Sequence, residues 1–142
     1  MIAGITIAFL YDVYERRSGH DCRAEQSWGS VFVTTRFNPI SGVEALDDLL
    51  EQSRTETVVL FNHDPHCPIS ARAFSQMEQV GNEVMLVDVS RERSLTREIQ
   101  GRTGVHHESP QVIVLRDGQP AWSASHFAIT TDAVQDATNA AD

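Results

Sequence analysis

The sequence is poor in cysteine, because its 142 residues include only Cys22 and Cys67. Two cysteines are too few for the disulfide framework that stabilises many small secreted domains. A disulfide between these two would close a long loop, and no spacing pattern favours it. The scarcity of cysteine therefore favours a reducing compartment, and we expect a cytoplasmic protein.

Basic residues are also scarce, since 11 lysines and arginines stand against 20 aspartates and glutamates, for a formal net charge of −9. An acidic chain of this kind argues against a surface that binds nucleic acid or an anionic membrane. The apolar stretch Met1–Leu10 is too short to span a bilayer. Arginines follow this stretch instead of preceding it as in a signal peptide. We expect no nucleic-acid and no membrane partner, and nothing in the sequence indicates the oligomeric state.

The stretch Asn62–Ser70 lies between two apolar segments. The β-branched run Thr57–Phe61 precedes it and predicts a strand. Pro65 suits a turn, and Pro68 suits the first position of a helix. Cys67 is therefore predicted at a helix start. The helix itself is predicted by apolar residues spaced three or four apart, namely Ile69, Ala73, Met77 and Val80.

A cysteine at a helix start has a chemical consequence. The first turn of a helix leaves backbone N–H groups unpaired and carries partial positive charge, which stabilises a thiolate relative to a thiol. A protonated His66 would act in the same direction. The alternative is a buried structural cysteine, but such a residue is not usually flanked by histidine, two prolines and a serine. We therefore interpret Cys67 as a reactive thiol.

Ser70 stands three residues after Cys67, at the position where a C-x-x-C motif carries its second thiol. A serine cannot form a disulfide. The sequence therefore predicts redox chemistry with a single thiol, in which the second sulfur comes from another molecule.

The remaining pattern predicts an α/β fold. From residue 41 onwards the order is α-β-α-β-α-β-β-α, with an Asp117-Gly118 hairpin turn between the last two strands. Strands linked through a helix pair in parallel and a hairpin pairs antiparallel, so we expect a mixed four-stranded sheet with helices on both faces. The predicted strands are Thr57–Phe61, Glu83–Val89, Gln111–Arg116 and Ala121–Ala124, and the candidate helix caps are Ser41 (with Glu44 in a capping box), Ser94 and Thr130 or Thr131.

The first 40 residues do not form one recognisable element. We treat residues 1–40 as an N-terminal extension of unclear order, with Val31–Thr35 as a candidate short strand. Residues 41–142 are expected to form a single domain.

A metal site is an alternative interpretation of the histidines. His63, His66 and Cys67 are close in sequence, and three further histidines could approach them in the fold. Zinc binds such ligands in tetrahedral sets, but this spacing matches no standard zinc motif. We therefore expect no metal. The three further histidines are His106, His107 and His126.

Four motifs, in the order in which they occur, resemble those of the bacillithiol-associated YtxJ-like proteins, which are described as monothiol bacilliredoxins. The resemblance covers residues 43–138 and implies a thioredoxin-like fold. It also implies a cytosolic thiol–disulfide oxidoreductase that removes bacillithiol from S-bacillithiolated proteins. The motifs are Cys67-Pro68-Ile69-Ser70, Arg102-Thr103-Gly104-Val105, His107-Glu108-Ser109-Pro110-Gln111 and Trp122-Ser123-Ala124-Ser125-His126.

The resemblance also implies roles for single residues. Cys67 is the attacking thiol, and the Ser109–Pro110 peptide is cis and faces it. This arrangement would leave the Ser109 backbone free to pair with an extended substrate. No cofactor is bound; bacillithiol is a co-substrate, and a low-molecular-weight thiol regenerates Cys67. The supporting residues are His66, Pro68, Ser70, Ser109 and Pro110.

Two questions stay open at this point. His107, Glu108 and His126 are candidates for binding the malate or sugar part of the thiol, but they could equally form a solvated loop. His66 departs from the small polar residue common in the family before the cysteine. The alternative function is a non-catalytic thioredoxin-like redox-sensing or stress-response module, which would be oxidised once instead of turning over.

Overall fold

The computed structural model of the protein describes residues 34–140. Cys22 and most of the predicted N-terminal extension therefore lie outside the described residues. Of the candidate strand Val31–Thr35, only the last two residues are described, and neither is in a strand.

The described chain alternates strands and helices around one sheet. The strand order is β1-β3-β2-β4-β5, in which β1 and β2 run parallel to β3, and β4 runs antiparallel to both β2 and β5. A short 3₁₀ turn follows β5. The elements are β1 (Arg36–Pro39), α1 (Val43–Gln52), β2 (Val58–His63), α2 (Pro68–Met77), β3 (Glu83–Asp88), α3 (Arg93–Thr103), β4 (Gln111–Arg116), β5 (Gln119–Ser125), the 3₁₀ turn (His126–Ala128) and α4 (Thr131–Asn139).

The α/β architecture with a mixed sheet is confirmed, but the sheet has five strands and not the predicted four. The additional strand is β1, which pairs with β3 from Arg36 opposite Glu83 to Pro39 opposite Leu86. It is only four residues long and ends on a proline, so its local sequence does not predict a strand. A proline is tolerated here because β1 lies at the edge of the sheet that residues 34–140 form, where it pairs only with β3.

Helices cover both faces of the sheet, as predicted, because the side chains of its strands alternate between the faces. In β2, Leu60 packs on the face covered by α1 and α3, whereas Phe61 packs on the face covered by α2 and α4. Both side chains are fully buried. The helix residues that close the two core layers are Leu46, Leu49, Leu95 and Ile99 on the first face, and Ala73, Met77 and Val134 on the second.

Two of the three predicted helix caps are wrong. The N-cap positions of α1 and α3 are Gly42 and Glu92, and neither helix has a side-chain cap. Ser41 and Ser94 therefore do not cap these helices. The third prediction is confirmed, since the Thr130 hydroxyl accepts the Ala133 N–H at 3.2 Å and so caps α4.

The predicted hairpin turn between β4 and β5 is confirmed. Asp117 and Gly118 both have positive φ angles, 51° and 73°. A two-residue turn that matches the twist of the flanking strands requires this backbone conformation, which glycine adopts without strain.

One edge of the sheet gathers the segments that carry the predicted site. Strand β2 ends at His63, which lies beside Asp88 at the end of β3. Strand β4 begins at Gln111, which pairs with Asn62. The loop after β2, which contains Cys67, and the loop before β4, which contains Pro110, therefore meet at the same edge. Of the helices within residues 34–140, none is long and apolar enough to cross a membrane.

Candidate active site

Cys67 lies at the N-cap position of α2, where the sequence placed it. Its backbone is extended (φ −100°, ψ 122°), and Pro68 fills the first helical position. The Cys67 carbonyl accepts the Ala71 N–H at 3.0 Å, which is the first hydrogen bond of the helix. The thiol is unpaired and its residue is partly exposed. Cys67 is therefore partly open to solvent at the start of α2.

Asp64 fixes the turn that leads into Cys67. Its carbonyl accepts the Cys67 N–H at 3.2 Å, and its carboxylate accepts the His66 N–H at 2.9 Å. Pro65 follows Asp64, in the second turn position, where its fixed φ is favourable. The sequence did not single out Asp64, although an Asp-Pro pair before a cysteine is a typical turn signal.

Ser70 is fully buried, and its hydroxyl ties α2 to this turn. The hydroxyl oxygen accepts the Asp64 N–H at 2.9 Å and lies 2.7 Å from Nδ1 of His63. The residue at the position of a second thiol is therefore part of the support of the Cys67 turn.

His63 is a site residue that the sequence suggested only as a metal ligand. Its ring lies 5.5 Å from the Phe61 ring and 5.0 Å from the Phe74 ring, centroid to centroid. Burial lowers the pKa of His63, although Asp64 and Asp88 act in the opposite direction. The ring is therefore mostly neutral at pH 7. With the ring proton on Nε2, Nδ1 accepts a hydrogen bond from the Ser70 hydroxyl, whose oxygen already accepts the Asp64 N–H.

The Ser109–Pro110 peptide is cis, which confirms the expectation from the resemblance. Pro110 is buried, and its carbonyl accepts the His126 N–H at 3.0 Å. The Ser109 hydroxyl is buried without a hydrogen-bond partner in the described part of the chain.

Two buried amides connect the cysteine loop with the proline loop. The Asn62 side chain donates to Oε1 of Gln111 at 3.1 Å, and Gln111 donates in turn to the His106 carbonyl at 2.7 Å. Asn62 and Gln111 are almost completely buried, so these hydrogen bonds are shielded from water. The sequence analysis missed both residues, although a polar side chain at the end of an otherwise apolar strand is a detectable signal.

The three candidate binding residues do not form one cluster. Nδ1 of His126 lies 3.9 Å from Oε2 of Glu108, and both side chains are partly exposed. The backbone N–H of His107 instead donates to Oε1 of Gln100, on α3, at 2.8 Å. Burial lowers the pKa of His107, and the neighbouring His106 adds to this effect.

His66 is an exposed residue among the predicted site residues. Its side chain is 79% exposed, and its Nδ1 lies 3.4 Å from the Asp64 carboxylate. It contributes to the surface around the thiol, and not to its packing.

The histidines named as possible metal ligands have other contacts. His63 contacts Ser70, and His126 lies beside Glu108. Across residues 34–140, no three His, Cys, Asp or Glu side chains are grouped so that they could hold a metal ion.

Comparison with known proteins identifies the family. The model of the family Monothiol bacilliredoxin BrxC matches residues 38–134, which is more than half of the chain. The chain belongs to this family. The bacilliredoxin is accordingly a thiol–disulfide oxidoreductase, and the matched residues include the whole segment from the Asp64 turn to the 3₁₀ turn.

Solved structures agree with the fold. A protein described as an oxidoreductase with a thioredoxin fold shares 27% identity, with a TM-score of 0.66, over 71% of this chain and 92% of its own. Thioredoxin from Schistosoma mansoni superposes with a TM-score of 0.58 at 16% identity, over 72% of this chain and 93% of its own. Thioredoxin from Trypanosoma brucei brucei gives 0.57 at 12% identity, over 71% and 86%. The bacilliredoxin therefore has a thioredoxin fold.

Proposed function

We propose that this bacilliredoxin removes bacillithiol from S-bacillithiolated proteins through a mixed disulfide on Cys67. The observation that carries the proposal is a single accessible sulfur at the start of α2, with a buried serine where a second thiol would stand. Cys67 in this arrangement can accept a thiol adduct, and residues 34–140 contain no second cysteine that could expel it.

The reaction is a pair of thiol–disulfide exchanges. The Cys67 thiolate attacks the bacillithiol sulfur, so that the disulfide to the substrate protein breaks and a disulfide to Cys67 forms. The substrate protein leaves as a thiolate and takes up a proton. A low-molecular-weight thiol then attacks the adduct, leaving with bacillithiol as a small disulfide and restoring Cys67. No net electron is gained or lost by the protein.

The surroundings of Cys67 support the first exchange. Cys67 is the N-cap residue of α2, so its side chain stands at the end of the helix where the dipole carries partial positive charge. The Ser109 N–H and C=O have no hydrogen-bond partner within the described residues, so they are available to an extended substrate segment. Glu108, His107 and His126 line the same loops and are proposed to contact the thiol or the substrate. We place this reaction in the cytoplasm, in agreement with the scarcity of cysteine.

Intact-mass measurement tests the transfer. Reduced protein is incubated with a bacillithiolated substrate protein, and both are weighed. We expect the bacillithiol mass to move to the wild type and not to Cys67→Ala. The Ser70→Ala variant should retain transfer, because Ser70 does not react. Equal transfer to Cys67→Ala, or no transfer to the wild type, would contradict the proposal.

The same assay separates the enzyme from the sensing module. With excess substrate and a low-molecular-weight thiol, an enzyme releases more substrate protein than the number of Cys67 sulfurs present. A sensor stops after one equivalent.

A further inference from the structure

A cavity of about 270 Å³ lies between α3 and the loop that leads to Pro110. It is lined by Thr96, Arg97, Gln100, His106 and His107. Three of these side chains can carry positive charge, and none of the five can carry negative charge. This composition is unusual for a chain with a formal net charge of −9.

Arg97 is available to a ligand. Two other arginines near α3 are engaged, since Arg91 pairs with Asp88 at 3.5 Å and Arg102 pairs with Asp47. Arg93, which precedes Arg97 on the helix, does not line the cavity. Arg97 has no carboxylate partner within residues 34–140, and it is exposed at the mouth of the cavity. A free guanidinium of this kind binds carboxylates through two parallel hydrogen bonds.

His107 provides a second, independent observation. Its Nδ1 is buried without a hydrogen-bond partner, and Ser109 Oγ, two residues later, is in the same situation. Buried polar atoms in proteins are nearly always paired, so an unpaired one often indicates a missing water or ligand. Two of the three unpaired buried side-chain atoms among the described residues thus lie in this one loop.

The cavity lies toward the edge of the sheet that carries Cys67. Helix α3 begins at Arg93, just after β3 ends beside His63, and the loop runs along α3 back to that edge. The Gln111 side chain holds the His106 carbonyl, which connects the cavity wall to β2 through Asn62. Glu108, the one acidic side chain in the loop, lies 3.9 Å from His126 and is not part of the lining.

We propose that this cavity binds a carboxylate group of the low-molecular-weight thiol that reacts at Cys67. Arg97 supplies the charge, and the imidazole N–H groups of His106 and His107 supply further donors. This inference rests on the proposed function, because it assigns a position to the co-substrate of that reaction. It makes the enzyme selective for small thiols that carry a carboxylate.

Binding can be tested without any redox step. Succinate is the probe, and its affinity is measured by calorimetry and by the shifts of the histidine ring proton signals. Arg97→Gln should weaken succinate binding about tenfold or more, as expected for the loss of a charge-assisted bidentate hydrogen bond. Arg93→Gln is the matched control, because Arg93 lies one turn earlier on α3 and does not line the cavity. It should change the affinity less than about twofold. Inorganic phosphate is a second probe, and phosphate binding equal to that of succinate would contradict the assignment to a carboxylate.

Reactivity is tested with two thiols that differ in charge. Wild type and Arg97→Gln are loaded at Cys67 with a methylthio adduct, which carries no carboxylate, and the rate of release is measured with mercaptosuccinate and with 2-mercaptoethanol. We expect Arg97→Gln to slow release by mercaptosuccinate about tenfold and to leave release by the neutral thiol unchanged. Equal slowing with both thiols, or none, overturns the inference.

The two proposals fail in different ways. If the wild type accepts no adduct from a bacillithiolated substrate, the proposed function is wrong, whereas succinate binding at Arg97 is still measured on its own. If the adduct is transferred but succinate does not bind, or binds equally to Arg97→Gln, the transfer function stands and the carboxylate site is wrong.

Discussion

Ser70 occupies the position at which a two-thiol enzyme has its second cysteine. Its buried hydroxyl accepts a hydrogen bond from the Asp64 N–H and contacts the ring of His63. The absence of a thiol at position 70 could be predicted from the sequence, because it depends only on the residue type. The hydrogen bonds by which Ser70 stabilises the turn could not be predicted from the sequence. They require that His63 and Asp64, at the end of β2, both lie next to Ser70 in the folded chain.

Replacement of Ser70 by alanine tests this support. Ser70→Ala leaves the part-buried Asp64 N–H without its acceptor, and we expect a loss of about 1 kcal/mol in the free energy of unfolding. Ser75→Ala is the control on the same helix, since its hydroxyl is exposed and bonded only to the Ala71 carbonyl. It should stay within about 0.5 kcal/mol of the wild type in urea unfolding. Equal stability of Ser70→Ala and wild type would argue against the network.

His63 makes the stability depend on pH. Its pKa is lowered in the folded protein by burial, so between the folded value and the ordinary value of about 6.5 the unfolded chain binds more protons. Stability is therefore complete above about pH 6.5 and falls as the pH is lowered through this interval. His107 contributes in the same direction.

Urea unfolding at pH 7.5 and at pH 5.5 measures this effect. The wild type should lose stability at the lower pH, and His63→Phe should lose less, because the phenyl ring fits between Phe61 and Phe74 but binds no proton. An identical pH dependence in the two proteins would show that His63 is not responsible.

At the scale of the elements, strands were predicted better than helix ends. Strand β4 was predicted with its observed bounds and β2 nearly so, because continuous apolar runs are properties of the local sequence. The caps at Ser41 and Ser94 were wrong because the chain enters α1 and α3 from backbone geometries at Gly42 and Glu92 that the fold imposes. Strand β1 was missed because four residues ending in a proline become a strand only beside β3.

Two capping variants test this difference. Thr130→Ala removes the hydroxyl that accepts the Ala133 N–H, and we expect a loss of about 1 kcal/mol in unfolding free energy. Ser41→Ala should have almost no effect, although the sequence pattern gives Ser41 the stronger capping motif. The reverse order of the two losses would contradict the observed helix starts.

At the scale of the whole molecule, residues that precede α1 contact α2 and the loop that follows it. The buried Thr35 hydroxyl donates to the Met77 carbonyl at 2.6 Å and accepts the Gly81 N–H at 2.9 Å. The Phe37 ring stacks on Phe74 at 4.5 Å. We therefore propose that the folded domain begins before residue 41, where the sequence analysis placed its boundary.

Thr35→Ala tests the position of this boundary. The variant leaves the Met77 carbonyl and the Gly81 N–H without their partner, and we expect a loss of about 1–3 kcal/mol. The control is Thr55→Ala, whose hydroxyl is exposed and contacts only the Gln52 carbonyl. If Thr35→Ala is as stable as this control in urea unfolding, residues before 41 do not belong to the cooperative unit.

Because position 70 carries a hydroxyl and not a thiol, it limits how the active site around Cys67 can hold an oxidising equivalent. A dithiol enzyme can hold an oxidising equivalent as a disulfide between two neighbouring cysteines. Cys67 is the one cysteine among residues 34–140, so under the proposed function this part of the chain holds the equivalent as a mixed disulfide with another molecule. If a small thiol releases the adduct as we propose, the lifetime of the adduct on Cys67 depends on the concentration of that thiol in the surrounding solution. The occupancy of Cys67 accordingly rises when that thiol is depleted and falls when it recovers.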